Sequence, residues 1–139
     1  MKKRILGLAF ALALLACCLL PAFAALQSTN VYDANVYAST NSSGETTIHI
    51  GYVGYVNITT GATTTTKVEK RFLGLFWKKV DIGTTDNVWV DGFTGVNGST
   101  THTVQLPSHG KYRVTTDFDV YGVSGVTDHI ERTEQFEWN

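Results

Sequence analysis

One stretch, residues 106–121, constrains the fold more than any other part of the chain. It reads Leu-Pro-Ser-His-Gly-Lys-Tyr-Arg-Val-Thr-Thr-Asp-Phe-Asp-Val-Tyr, a tight corner followed by regular alternation. From residue 112 onward, every second side chain suits a buried face and the others suit water. The buried set is Tyr112, Val114, Thr116, Phe118 and Val120. This alternation predicts an antiparallel strand with one buried face, and therefore an all-β domain.

The spacing of Leu106, Gly110, Tyr112 and Val114 resembles the corner between strands E and F of immunoglobulin-like and fibronectin type III sandwiches. In that corner, a tyrosine near the start of strand F hydrogen-bonds back to the backbone. The resemblance implies an architecture and carries no activity. Val114 stands where antibody-type domains have a cysteine, so their inter-sheet disulfide is not expected. The chain also resembles small threonine-rich β proteins of unassigned function that Gram-positive bacteria secrete.

Residues 1–24 have the three parts of a secretory signal peptide. Residues 2–4 are basic, residues 5–20 are apolar, and residues 22–24 form an A-x-A cleavage site. The apolar segment is about sixteen residues long, shorter than the roughly 20 that a membrane-spanning helix needs. An uncleaved anchor is the alternative; a lipoprotein signal fits poorly because Leu15 stands where a small residue is usual. We predict a secreted protein with no transmembrane span in its mature part.

Cleavage after residue 24 changes the bulk properties of the chain. Cys17 and Cys18 leave with the signal, so the mature chain has no disulfide and no thiolate metal site. Removing the three basic residues of the signal from 11 leaves 8 against 12 acidic residues, a net charge of −4. That balance argues against a nucleic-acid-binding protein. Residues 25–139 suit one domain with its own core.

The mature chain contains 20 threonines and many branched and aromatic residues, which favour pleated strands. Turn signals rich in Gly, Asn, Ser and Thr separate seven candidate strands. These strands are residues 31–37, 46–59, 63–68, 87–93, 101–106, 112–121 and 126–138. Their number and spacing predict a single immunoglobulin-like antiparallel β-sandwich of about seven strands, with a small β-barrel as the alternative.

Two strands carry specific predictions about their faces. In the second strand, one buried face is expected to hold Ile48, Ile50, Tyr52, Val56 and Ile58. In the fourth, Val88 and Val90 are expected to point inward, opposite Trp89 and Asp91.

The last hairpin is expected to turn at residues 122–125, with Gly125 in a left-handed conformation. Pairing Phe118 with Ile130 and Tyr112 with Phe136 keeps apolar residues together. It also places Arg132 and Glu134 on that face, which requires a bulge or a face open to water.

Residues 67–79, the basic-aromatic stretch, concentrate five of the eight mature basic residues around five large apolar side chains. We favour a buried strand at residues 72–77, with Trp77 as a core aromatic like the strand C tryptophan of immunoglobulin domains, because soluble proteins usually bury such runs. The alternative is an exposed tip that docks onto an anionic membrane or a partner. The contact residues would be Arg71, Phe72, Leu73, Leu75, Phe76, Trp77, Lys78 and Lys79.

Two weaker sites complete the candidates. Trp89 and Tyr121, with Trp77 or Tyr55, would form a platform for sugar rings if they were coplanar. Asp117 and Asp119 share a face of one strand, near His129 and Glu131 across the hairpin, and would offer oxygen ligands to calcium. The plainer interpretations are that these aromatics pack beneath loops and that these carboxylates face water.

Nothing in the sequence predicts catalysis. The four histidines, at positions 49, 102, 109 and 129, lack metal-ligand spacing, and no two carboxylates carry the signature of a glycosidase cleft. We predict a secreted, non-enzymatic sandwich that needs no cofactor and binds an unknown protein, glycan or membrane surface or forms part of an extracellular assembly. The alternatives are a membrane-active protein that works through residues 67–79 and a carbohydrate-binding module.

Overall fold

The computed structural model describes residues 29–139, so the signal peptide predicted at residues 1–24 lies outside the described residues. Residues 29–139 form eight strands and no helix, and therefore no helix that could cross a membrane. The strands are β1 (Val31–Thr40), β2 (Glu45–Gly54), β3 (Thr59–Phe72), β4 (Phe76–Lys79), β5 (Trp89–Thr94), β6 (Asn97–Gln105), β7 (Gly110–Gly122) and β8 (Thr127–Trp138).

The strands form two antiparallel sheets. Sheet A has the order β1-β2-β6, and sheet B has the order β4-β3-β7-β8. β4 pairs with residues 69–72 of β3, and β5 pairs with residues 61–66 of the same strand. The sheets are not closed into a barrel, which confirms the predicted all-β sandwich over its alternative. β4 is not among the seven candidate strands, and it overlaps only the end of the strand favoured at residues 72–77.

The core lies between the sheets and is built from alternate residues of the strands. Its buried apolar members are Val31, Ala34, Val36, Ile48, Ile50, Tyr52, Ala62, Val68, Val80, Val104, Leu106, Tyr112, Val114, Phe118 and Val120. Buried threonines fill the remaining space, and the Oγ1 atoms of Thr66 and Thr116 form one hydrogen-bonded pair, 2.9 Å apart, in the core. This pairing satisfies two hydroxyl groups that burial removes from water, whereas the buried Oγ1 of Thr64 has no hydrogen-bond partner among residues 29–139.

The corner before β7 has the predicted geometry. Tyr112 is fully buried, and its hydroxyl donates a hydrogen bond to the backbone carbonyl of Ser108. Burial raises the pKa of the Tyr112 hydroxyl, and the contacts with Ser108 partly offset that rise. The tyrosine corner is therefore confirmed as a local structure.

The β7–β8 hairpin also follows its prediction. Phe118 pairs with Ile130, Tyr112 pairs with Phe136, and Gly125 has a φ of 78°. The register runs without a break, so the strand does not bulge at Arg132. Arg132 is instead exposed at the open side of the sandwich, where its Nε donates to the carbonyl of Ala34 in β1 at 2.9 Å.

The predicted faces of β5 are wrong. Trp89 and Asp91 pair with the buried Thr66 and Thr64, whereas Val90 is exposed. The inner face tolerates Asp91 because its carboxylate lies 2.8 Å from Nε2 of His102. His102, eleven residues further along the chain, therefore allows Asp91 to face inward, which is the opposite of the orientation predicted from alternation.

The predicted length of the second strand is also wrong. Ile48, Ile50 and Tyr52 are buried as expected, but β2 ends at Gly54. Val56 and Ile58 lie in the turn that follows and are exposed. Asn57, between them, has a φ of 65°, a left-handed conformation that ends the alternation.

Candidate functional site

β3 and β4 form a hairpin that extends beyond the cover of sheet A. β3 has 14 residues, whereas β1 and β2 have 10 each. Val68 is fully buried, but Phe72, four residues further along the same face, is exposed. The end of β3 and all of β4 therefore leave the core, and we call this segment, residues 69–79, the overhanging hairpin.

The tip of the overhanging hairpin is a three-residue loop, residues 73–75, between β3 and β4. Leu73 has a φ of 51° and Gly74 a φ of 69°, and the amide of Leu75 donates to the carbonyl of Phe72 at 3.1 Å. Two successive left-handed residues define the type I′ turn, which matches the twist of paired strands and usually holds Asn-Gly. A leucine in the left-handed conformation is unusual and costs about 1–2 kcal/mol.

Four large apolar side chains surround this tip, and all are exposed to solvent. The exposed fractions are 56% for Phe72, 75% for Leu73, 76% for Leu75 and 63% for Phe76. The favoured sequence prediction, a buried strand at residues 72–77, is wrong. It fails because no strand of the opposite sheet reaches this part of β3.

Trp77 lies at the base of the overhanging hairpin, partly buried, and not in the core as predicted. The guanidinium of Arg113 sits 4.5 Å from the centroid of its ring, and that of Arg71 sits 6.0 Å away. Arg113 is held there by Glu69, whose carboxylate accepts from Nε at 2.7 Å and is nearly buried. This cation–π contact fixes the hairpin to the outer face of sheet B.

Four cations flank the apolar tip: Lys70, Arg71, Lys78 and Lys79. In residues 29–139, lysine and arginine form carboxylate ion pairs only at Arg113–Glu69 and Lys111–Glu137. Arg71 donates to the carbonyl of Gly74 at 2.9 Å, and Lys79 donates to that of Asp86 at 3.1 Å. Carbonyls do not neutralise the charge, so the tip is apolar with a net positive base.

The structure does not assemble the predicted sugar platform. Trp89 stacks inside the sandwich on His102, with centroids 4.5 Å apart. Tyr121 donates to Oγ1 of Thr63, and Tyr55 contacts Tyr32 edge-on at 6.1 Å. With Trp77 under the arginines, each of the four predicted rings has a different neighbour.

The acidic face of β7 and β8 has the predicted pairing. Asp119 lies 2.6 Å from Nδ1 of His129, and Asp117 pairs with Glu131 across the hairpin. Over residues 29–139, however, no three His, Cys, Asp or Glu side chains converge to hold a metal ion. Calcium binding gains no support from this geometry.

The sequence did not single out one further surface. Exposed apolar side chains gather at the end of the sandwich opposite the overhanging hairpin. We call this set the far end: Tyr32, Tyr55, Val56, Ile58, Val123 and Val126. The turns of the far end are joined by a hydrogen bond from the amide of Val123 to the carbonyl of Ile58, at 2.9 Å. The turns at Asn57 and Gly125 place all of these residues except Tyr32 outside the strands, and both turns contain residues typical of turns in the sequence.

Comparison with known proteins identifies no family for this chain and only weak structural similarity. No family model matches the chain, and no curated protein matches it. Among solved structures, OgpA from Akkermansia muciniphila is similar at 12% identity and a TM-score of 0.42, covering 84% of this chain and 31% of that protein. The putative ApaA protein from Bordetella pertussis is similar at 13% identity and a TM-score of 0.42, covering 80% of this chain and 96% of that one.

Proposed function

We propose that this protein is a secreted, non-enzymatic β-sandwich that docks onto anionic membrane surfaces through its overhanging hairpin. One observation carries the proposal: four exposed apolar side chains at a tip whose base holds four cations without carboxylate partners. Membrane-surface binders combine these two elements, with apolar residues that insert at the headgroup boundary and cations that attract anionic lipids.

The conformation of Leu73 supports the same proposal. Asn would fit its left-handed position without strain and would be soluble. The chain instead places there a leucine that is 75% exposed, which stabilises neither the turn nor the core. A strained, solvent-exposed leucine at the extreme tip is explained by a contact that the isolated protein does not make.

The energetics of docking combine two additive contributions. Fully burying a leucine or phenylalanine side chain is worth about 1.5–3 kcal/mol, and insertion of the tip would gain part of that for each residue. Each lysine or arginine near an anionic surface adds roughly 1 kcal/mol. The electrostatic part weakens with salt because the Debye length shortens.

An immunoglobulin-like relationship is part of the proposal. The tyrosine corner supports it, as does the order β1-β2-β6 opposite β4-β3-β7-β8, which parallels strands A-B-E opposite C′-C-F-G. β5 departs from the constant-type pattern, since it pairs with β3 and not with β6. In this scheme, the overhanging hairpin is an extended C–C′ hairpin.

Vesicle co-sedimentation tests the docking proposal. Wild-type protein should bind vesicles that contain phosphatidylglycerol and should bind pure phosphatidylcholine much more weakly. Leu73→Asn should lose most of this binding while folding at least as well as wild type, because it removes strain and an apolar contact together. Val123→Asn is the matched control, an exposed apolar residue at the far end, and should bind normally. Equal binding by Leu73→Asn and wild type would refute docking through the tip.

A further inference from the structure

Along the inner face of β3 and β4, from the core to the tip, the paired residues change from apolar to cationic to aromatic. Nearest the core, the amide of Val80 donates to the carbonyl of Val68 at 2.8 Å, and both residues are buried. One step outward, Lys70 pairs directly with Lys78. Beyond that pair, Phe72 is directly opposite Phe76. A cationic pair is thus set between the protein core and an exposed aromatic pair.

The Lys70–Lys78 pair is unfavourable for the isolated protein. Like charges directly opposite each other on adjacent strands destabilise a sheet. Lys70 donates to Oγ of Ser108 and lies 5.6 Å from the centroid of the Tyr112 ring. Neither contact cancels its charge, and in residues 29–139 neither lysine forms an ion pair with a carboxylate. An anion bound between the two ammonium groups would relieve the repulsion.

A groove opens beside this pair, between the hairpin and the corner that precedes β7. Its volume is about 310 Å³. It is lined by Lys70, Phe72, Lys78, Lys79, Val80, Asp81 and Pro107. Three of these residues are cations, three offer apolar surface, and one is an acid. The groove is therefore amphiphilic, with a net positive charge.

We propose that this groove binds one anionic phospholipid, with the phosphate between Lys70 and Lys78 and the first methylenes of an acyl chain against Phe72 and Pro107. The inference rests on the proposed membrane docking and adds a stoichiometric lipid site to it. The volume suits a headgroup and the start of the chains, with the remainder left in the bilayer. Docking by the tip brings the groove to the depth of the headgroups.

The two halves of the lining distinguish a lipid from simpler ligands. Two lysines provide point charges for a phosphate. A site for inorganic phosphate alone, however, has no use for an apolar wall. An apolar ligand alone would leave the lysine repulsion in place. Only an amphiphile with an anionic head satisfies both parts of the lining.

Monomeric short-chain lipids test the site apart from the membrane. We would measure binding of dihexanoyl phosphatidic acid, below its micelle concentration, to the full mature chain by NMR chemical-shift titration. Lys70→Gln and Lys78→Gln should each weaken binding by about fivefold, the equivalent of roughly 1 kcal/mol. Lys67→Gln is the matched control, because Lys67 pairs with Thr115 on the outer face of sheet B. It makes the same charge change and should leave the affinity unaltered.

Asp81→Asn tests the sign of the electrostatic argument. Oδ1 of Asp81 accepts from the amide of Gly83 at 3.0 Å, and the asparagine carbonyl can preserve that bond. The variant removes the one negative charge of the lining, so it should bind phosphatidic acid more tightly than wild type. Thermal unfolding of each variant would verify that the fold is retained.

Other outcomes separate this inference from the docking proposal. Equally tight binding of inorganic phosphate, or of dihexanoyl phosphatidylcholine, would overturn an anionic lipid site. Vesicle binding without saturable binding of short-chain phosphatidic acid would overturn the groove and leave docking in place. Saturable binding of the short-chain lipid by a protein that ignores anionic vesicles would overturn docking and leave the groove.

Discussion

The two ends of the sandwich both expose apolar side chains, yet they differ in charge and in attachment. The overhanging hairpin carries Lys70, Arg71, Lys78 and Lys79. At the far end, residues 29–33, 53–60 and 121–128 contain no lysine or arginine. The comparison shows that exposed apolar area alone does not select a surface to bind. An anionic membrane would attract the overhanging hairpin electrostatically, but it would not attract the far end.

The ends also differ in how they are held. At the far end, the buried amide of Asn30 donates to the carbonyl of Val120 at 3.0 Å and to that of Val126 at 2.7 Å. Its backbone carbonyl accepts from the hydroxyl of Thr59. The overhanging hairpin is anchored at its base by Glu69 and Trp77 through Arg113, and beyond that base its tip is held mainly by the ladder between β3 and β4. The far end is therefore tied to the fold, whereas the tip is free to adapt to a surface.

The largest expected effect concerns the clamp at the far end. Asn30→Ala should lower the free energy of unfolding by about 2–3 kcal/mol, because it removes the two hydrogen bonds that the Asn30 amide donates to the carbonyls of Val120 and Val126. Chemical denaturation would measure it. Phe72→Ala, at the exposed tip, is the contrasting change and should stay within about 0.5 kcal/mol of wild type. Similar losses for both would show that the two ends are equally integrated.

The next effect lies at the base of the overhanging hairpin. Trp77→Ala should cost about 1–2 kcal/mol, since it removes a cation–π contact with Arg113 and a partly buried ring. A core tryptophan would cost about 3–5 kcal/mol. Chemical denaturation would measure this loss. A loss in the larger range would show that Trp77 is a core residue and that the two ends do not differ in how firmly they are held.

A similar or smaller effect is expected at the corner. Tyr112→Phe should cost about 0.5–1.5 kcal/mol, because it deletes the hydrogen bond to Ser108 and keeps the buried ring. Tyr121→Phe, which loses an exposed bond to Thr63, should cost less. Equal unfolding midpoints for Tyr112→Phe and wild type would mean that the corner bond adds no net stability.

The smallest change is expected at the tip itself. Leu73→Asn should raise the free energy of unfolding by up to about 1 kcal/mol through relief of the left-handed leucine. Val56→Asn, in the turn of the far end, relieves no such strain and should leave the denaturation midpoint where it is. A loss of stability in Leu73→Asn would show that the leucine contributes to the fold, against its assignment as a contact residue.

The sequence predicted the β7–β8 half of the fold well because two independent constraints act there. Alternation set the face of Tyr112 and Phe118, and the Gly125 turn set the register of their partners. For β5, alternation was the only constraint. It placed Asp91 on the outer face, because a local pattern does not reveal that His102 is the partner of this carboxylate. Local alternation therefore needs a turn or a pairing constraint before it specifies a face.

The candidate site could be predicted only in part. The composition of residues 67–79 is unusual, and it is compatible with an exposed tip as the alternative to a buried strand. Burial of residues 72–77 depends on whether the other sheet is long enough to cover them. At this end of the sandwich, sheet A stops at the turn that begins at Asn41, far away in sequence. The overhang therefore follows from no pattern within the stretch itself.

Arg132 affects how strongly separate copies of the protein tend to aggregate. β8 is a 12-residue edge strand, and such an edge can accept a strand from another molecule and begin aggregation. A charged side chain that reaches inward across the sandwich to Ala34 interrupts the apolar face that an added strand would need. Docking on a membrane would raise the local concentration of the protein greatly. The same arginine would then help to keep neighbouring copies as separate molecules.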